Sequence, residues 1–212
     1  MEQYFKYPRT LHLPWSLGST SDDKFMSDVE HFNGKRIIIT EKMDGENTNM
    51  YSDKIHARSI DSNHHDSRNW VKGLWGRIRN EIPDGWRICG ENLYAKHSLF
   101  YEDLETYFMA FSIWNEKNEC LSWEDTVDIC DMLGLKTVPV IGEMEFDEIS
   151  LKTLANTFDT NVMEGYVIRN IDSFHFDDFS DNVGKWVRAK HVTTSNHWMF
   201  DAIIPNKLKK DK

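Results

Sequence analysis

The 212 residues carry 35 acidic against 25 basic side chains, a formal charge of −10, with 40% hydrophobic residues and eight tryptophans. That composition excludes a disordered chain, and the length suits a single domain with a sizeable core. No run approaches the ~18 apolar residues of a membrane span and no signal-type apolar region opens the chain, while Cys89, Cys120 and Cys130, without a C-x-x-C pair, read as reduced core thiols of a cytoplasmic protein.

The opening, from Tyr7-Pro8-Arg9-Thr10 to Pro14-Trp15-Ser16, reads as irregular, punctuated by prolines. An apolar β-type run over 36–41 follows, then strands at 48–51 and 55–58 joined by a tight turn at Ser52-Asp53-Lys54. Trp70, Leu74, Ile78 and Ile82 make a helical stripe that Pro83-Asp84-Gly85 ends, a core-packing pattern. Strands are expected at 86–91 and 107–114. Ser122 caps a helix carrying Val127, Cys130 and Leu133, which stops at Gly134. A strand at 136–140, a short helix near 148–156, and strands at 164–169 and 185–192 complete the pattern, with a frayed tail from Lys207 to Lys212. There is no internal repeat. The fold class is α+β, dominated by antiparallel strands with helices packed outside.

Charge is unevenly distributed. Between Glu102 and Glu148, thirteen acidic residues face Lys117 and Lys136, a local balance of −11, so the remainder sums to about +1. Phosphate affinity depends on where cations sit, so the net charge does not exclude a nucleic-acid partner. Arg68, Lys72, Arg77, Arg79 and Arg87 form either a solvated face or an RNA-backbone patch. His64-His65-Asp66 reads as a solvated loop, because adjacent histidines point apart and no second ligand pair is spaced for zinc.

The most informative stretch is Glu41-Lys42-Met43-Asp44-Gly45-Glu46-Asn47, a lysine between a strand and a Gly turn. Alone, Lys42 reads as a solvated strand-end residue; held in a pocket, a lysine can act as a nucleophile. Other charged residues also bound apolar strands: Glu91 ends one, Glu164 opens another, and Arg188 and Lys190 alternate at the last. Carboxylates and cations converging at strand ends suit a nucleotide and its metal.

In order, E-K-M-D-G-E-N (41–47), A-R-S (57–59), G-E-N (90–92), F-S-I-W (111–114), E-G-Y-V-I-R (164–169) and V-R-A-K (187–190) resemble the successive motifs of covalent nucleotidyltransferases. That superfamily comprises ATP- and NAD-dependent ligases and RNA capping guanylyltransferases. The D-G-E-N, the E-G-Y-V and the opening Y-P-R-T-L-H-L-P-W resemble its nick-sealing RNA ligase branch, which includes phage and RNA-editing ligases. The resemblance runs from about residue 5 to 200. It implies an ATP-grasp-like ligase adenylation domain over residues 1–212, without the C-terminal OB-type module of relatives. It also implies an RNA substrate with 5′-phosphate and 3′-hydroxyl ends, no membrane, and room for a protein partner that supplies end recognition.

Carried over position by position, the resemblance makes Lys42 the nucleophile that attacks the α-phosphate of ATP. Its pKa is expected to be pushed down by Lys190, Arg188 and bound Mg²⁺ (or Mn²⁺). Glu91 would take the ribose hydroxyls, Phe111 would stack on adenine, and Glu41 would read the adenine amino group. Glu164 would hold the metal; Lys190 and Arg188 would neutralise charge on the α-phosphate. Asp44 and Gly45 belong to the nucleotide site, and Asn47 and Arg58 to the phosphate-acceptor side. The last motif is usually K-x-K in this branch, so Arg188 is a departure and Lys185 is an alternative for part of its role. The alternatives are a capping-type guanylyltransferase, a DNA ligase domain, or a non-catalytic RNA- or nucleotide-binding domain of the same fold.

Overall fold

A computed structural model describes residues 4–17, 23–189 and 202–209. Its strands are β1 (Leu11–His12), β2 (Arg36–Glu41), β3 (Glu46–Met50), β4 (Ile55–Ala57), β5 (Arg87–Asn92), β6 (Phe108–Trp114), β7 (Glu119–Cys120), β8 (Lys136–Thr137), β9 (Val140–Glu145), β10 (Gly165–Asn170), β11 (Phe174–His175) and β12 (Val183–Val187). Three α-helices join them: α1 (Asn69–Ile78), α2 (Trp123–Met132) and α3 (Glu148–Ala155). Sheet A has the order β1-β12-β10-β2-β9, and sheet B the order β11-β7-β6-β5-β3-β4, with β8 added alongside β6. Pairing is antiparallel except β1 with β12 and β6 with β8. No helix among the described residues is long and apolar enough to cross a membrane.

Alternation explains why both sheets are sandwiched. In β2, Ile37 and Ile39 join Tyr166, Ile168, Trp186 and Leu151 of α3, whereas Ile38 faces the other way, towards Met109 and Trp123. On sheet B, Met50 and Ile88 pack against Val71, Leu74 and Ile78 of α1. The outer faces are thus covered by helices, and the inner faces meet around a cavity.

Several strand boundaries differ from expectation. Among the described residues the last strand is Val183–Val187, which starts before the expected 185 and stops before Arg188; 190–192 of the expected strand lie outside the described residues. The strand expected at 136–140 is two pieces separated at Val138-Pro139, since proline has no N–H for a ladder. The tail is docked rather than frayed as far as it is described: Leu208 bridges Leu104, and Lys209 N–H donates to Leu104 O over 2.7 Å. Of the basic run, Arg68 is buried against Glu46, and Arg87 lies between the rings of Phe5, Trp114 and Phe176 at 4.7–5.7 Å. These two arginines therefore belong to the interior, not to an RNA-facing patch.

Candidate active site

The inner faces enclose a cavity of about 250 Å³. Strand register brings the chemistry-bearing termini to one end. Glu41 pairs with Tyr166 and Gly165 with Val187, so Lys42, Glu164 and Arg188 leave sheet A together; on sheet B, Asn47 pairs with Glu91. Lys42 N–H donates to Gly165 O over 2.9 Å, and Arg188 N–H donates to Glu164 O over 3.0 Å. The Lys42 ammonium donates to the buried Glu164 carboxylate in a short ion pair and keeps 24% of its side chain exposed.

The turn after Lys42 crosses to sheet B. Gly45 N–H donates to Glu91 Oε1 (3.1 Å), and a Cβ on Gly45 would lie 2.5 Å from Asn92 O, so no larger residue fits. The Asp44 carboxylate faces away from the cavity and accepts bonds from Ser98 and Leu99. Phe111 reaches the cavity through a bulge. Cys89 pairs with Ser112 and Gly90 with Ala110, which leaves Phe111 as the unpaired extra residue and turns it inward. A Cβ on Gly90 would sit 2.4 Å from the Phe108 ring, so the bulge needs glycine opposite it. The edge of the Tyr7 ring meets Phe111 at 5.2 Å.

Glu41, Asn47, Arg58 and Lys185 also line the cavity; Arg58 Nε donates to Tyr7 O over 3.3 Å. Arg188 does not line it, and its buried Nε has no hydrogen-bond partner among the described residues. Lys190 lies outside the described residues. Two cavity arginines had no place among the residues expected from sequence. Arg9 sits on the N-terminal segment, and the buried Arg169 donates to the carbonyls of Phe111 (3.2 Å) and Leu121. Period-2 alternation from Gly165 through Val167 to Arg169 was the available signal for the second.

The expected lowering of the Lys42 pKa rested in part on Lys190, which lies outside the described residues, and on a bound cation; the described groups act in the other direction. Burial pushes the Lys42 ammonium down, but the Glu164, Glu91 and Asp44 carboxylates outweigh it, and the net direction is up. Burial holds the Glu91 carboxyl at about 8, even against the Lys42 charge, so Glu164 is the partner that keeps Lys42 charged at neutral pH. The depressed lysine is Lys185, lowered to about 8 by burial and then by Lys42. Burial raises Glu41 as well. Among the described residues no group of three or more His, Cys, Asp or Glu is placed to enclose a metal. Glu164 is the hard carboxylate that would hold a divalent cation here.

A two-sheet cleft with a strand-end lysine paired to a carboxylate is the arrangement of a covalent nucleotidyltransferase. The RNA ligase family matches residues 35–187, and the chain belongs to that family. Among solved structures, an archaeal ATP-dependent RNA ligase matches with a TM-score of 0.58 and 16% identity over 87% of this chain and 48% of its own. A Naegleria gruberi RNA ligase with PPi matches at 0.51 and 17% identity, covering 75% of this chain and 51% of its own. A mutant of that ligase with AMP and Mn matches at 0.53 and 16% identity, with the same coverage. These likenesses describe the fold, and the chain spans about half the length of the solved structures it matches. No curated protein matches the sequence.

Proposed function

We propose that this chain is the catalytic domain of an ATP-dependent RNA ligase that joins a 5′-phosphate to a 3′-hydroxyl. The observation that carries the reading is one juxtaposition: Lys42 ion-paired to Glu164, in a cavity whose other wall offers Glu91 and Phe111. Adenine takes the apolar end against Phe111, with Glu41 reading its amino group, and Glu91 takes the ribose hydroxyls. Lys42 gives up the proton it shares with Glu164, and its amine attacks the α-phosphorus. A P–N bond forms as the bond from the α-phosphorus to the oxygen bridging to the β-phosphate breaks. Nitrogen loses a second proton, and pyrophosphate leaves.

AMP then passes to an oxygen of the RNA 5′-phosphate, and the Lys42 nitrogen takes back a proton. The 3′-hydroxyl attacks that 5′-phosphorus, loses its proton and displaces AMP. Arg9, Arg58 and Lys185, cations lining the cavity, offset charge on the phosphates, as does Lys190 by resemblance. A divalent cation held by Glu164, when bound, neutralises phosphate charge and competes with the Lys42 ammonium for the same carboxylate.

The test is covalent labelling with Mg²⁺ and α-³²P-ATP, beside GTP and NAD⁺, on the unsubstituted chain and Lys42→Ala. An acid-labile, alkali-stable AMP adduct from ATP alone, absent in Lys42→Ala, is expected. A GTP-only adduct would move the chain to capping chemistry. Binding of ATP without any adduct would make it a non-catalytic binding domain.

A further inference from the structure

The turn that carries Lys42 is held from outside the cavity by a loop that has no regular structure of its own. Between β5 and β6, residues 93–107 form neither a helix nor a named strand. This loop nonetheless holds Asp44 at one carboxylate oxygen and at its backbone N–H. Ser98 N–H (2.8 Å), Ser98 Oγ–H (2.7 Å) and Leu99 N–H (2.6 Å) all donate to Asp44 Oδ2, and Asp44 N–H donates to the Tyr101 hydroxyl oxygen (2.9 Å). Turning the buried Asp44 carboxylate elsewhere would strand two backbone donors, so the loop dictates where residues 42–45 lie.

The loop is in turn ordered by residues 204–209. Lys96 N–H donates to Ile204 O (2.8 Å), Lys207 N–H to Tyr101 O (2.9 Å), and Leu104 N–H to Lys207 O (3.0 Å). At the centre is Asn206, only 2% exposed. Its Nδ2 donates to Leu93 O (2.8 Å), its Oδ1 accepts from Tyr101 N–H (3.0 Å), and its own carbonyl accepts from the Tyr107 hydroxyl (2.8 Å). One amide therefore closes the loop by joining its start to its middle. It needs both a donor and an acceptor, which no other side chain of that size supplies.

We propose that Asn206 is a positioning residue for the lysine nucleophile, acting through the 93–101 loop and Asp44. The assignment deepens the ligase reading and rests on it. A segment beyond the last of the ordered motifs thus governs the first chemical step.

The experiment compares two reactions in Asn206→Ala and Ser98→Ala. One is single-turnover lysyl-AMP formation across ATP concentrations; the other is sealing of RNA that already carries a 5′-adenylate, in which Lys42 makes no bond. Positioning predicts that Asn206→Ala slows the maximal first-step rate about 10- to 100-fold, with the ATP concentration for half-maximal rate changed less than about twofold. Sealing of pre-adenylylated RNA should fall less than about threefold, and Ser98→Ala should repeat the pattern more weakly.

Equal losses in both reactions, a loss confined to ATP affinity, or a first step at the unsubstituted rate would each overturn the assignment. If Asn206→Ala does not fold, Ser98→Ala decides, since it removes a single hydroxyl. No label in the unsubstituted chain would overturn the ligase reading and this assignment together.

Discussion

The two walls of the cavity differ in what they bring. Sheet A supplies Lys42 and Lys185 to the lining, with Glu164 buried behind Lys42 as its ion-pair partner. Sheet B supplies Asn47, Glu91 and Phe111, a carboxamide, a carboxyl held at about 8 and an aromatic ring. Sheet A groups are placed to meet charge developing on phosphates, whereas sheet B groups are suited to holding a sugar and a base. The difference predicts that damage to the Lys42–Glu164 pair of sheet A lowers the maximal rate and damage to sheet B weakens nucleotide binding.

The largest effect should come from Glu164→Gln, which removes the charge paired with the Lys42 ammonium and, on the proposed reading, the ligand of the cation. Lysyl-AMP formation should fall on the order of 100-fold at saturating ATP. Because Lys42 must lose a proton whose pKa is raised in the native chain, the native rate should climb as pH rises above neutrality. In Glu164→Gln that climb should begin at lower pH, and an unshifted profile would remove Glu164 from this role.

Phe111→Leu keeps apolar bulk but loses the ring. The ATP concentration for half-maximal rate should rise about 2- to 12-fold, from the ~0.5–1.5 kcal/mol of a ring-stacking contact, with the maximal rate nearly unchanged. A selective fall in the rate instead would blur the division between the walls.

Lys185 is a cation whose pKa is lowered to about 8, so it is charged below that pH and neutral above it. Affinity for ATP should weaken as pH rises from 7 to 9.5 in the native chain and stay flatter in Lys185→Arg, which remains charged. Parallel titrations of nucleotide binding in the two proteins decide this.

The smallest effect concerns stability. The Glu91 carboxyl is raised in the folded state, so folding takes up a proton between the unfolded value and about 8, and stability falls as pH rises through that window. Glu91→Gln lacks this loss. It should raise Tm more at pH 8 than at pH 5, by on the order of 1 kcal/mol or about 2–4 °C. Melting curves with equal increments at both pH values would contradict it.

Much of the frame is legible in neighbouring residues. The helix boundaries at Ser122 and Gly134 follow from a cap and a left-handed stop: Ser122 Oγ accepts from Asp125 N–H at 3.1 Å, and Gly134 has φ of +67°. The apolar run at 36–41 became a central strand because both its faces are buried. The illegible features are all long-range. The bulge at Phe111 depends on how β5 and β6 pair, and the docking of Asn206 depends on a loop more than a hundred positions earlier, with |i−j| of 113 to Leu93.

The sequence alone determined which residue types end which strands, since alternation, caps and turns are properties of neighbours along the chain. Only the tertiary structure decided that Lys185 rather than Arg188 lines the cavity, that Asp44 faces a loop, and that Lys42 is held as an ammonium. Register selects which side chains meet, and burial then sets the charge each one carries, and neither is encoded in any short stretch of residues.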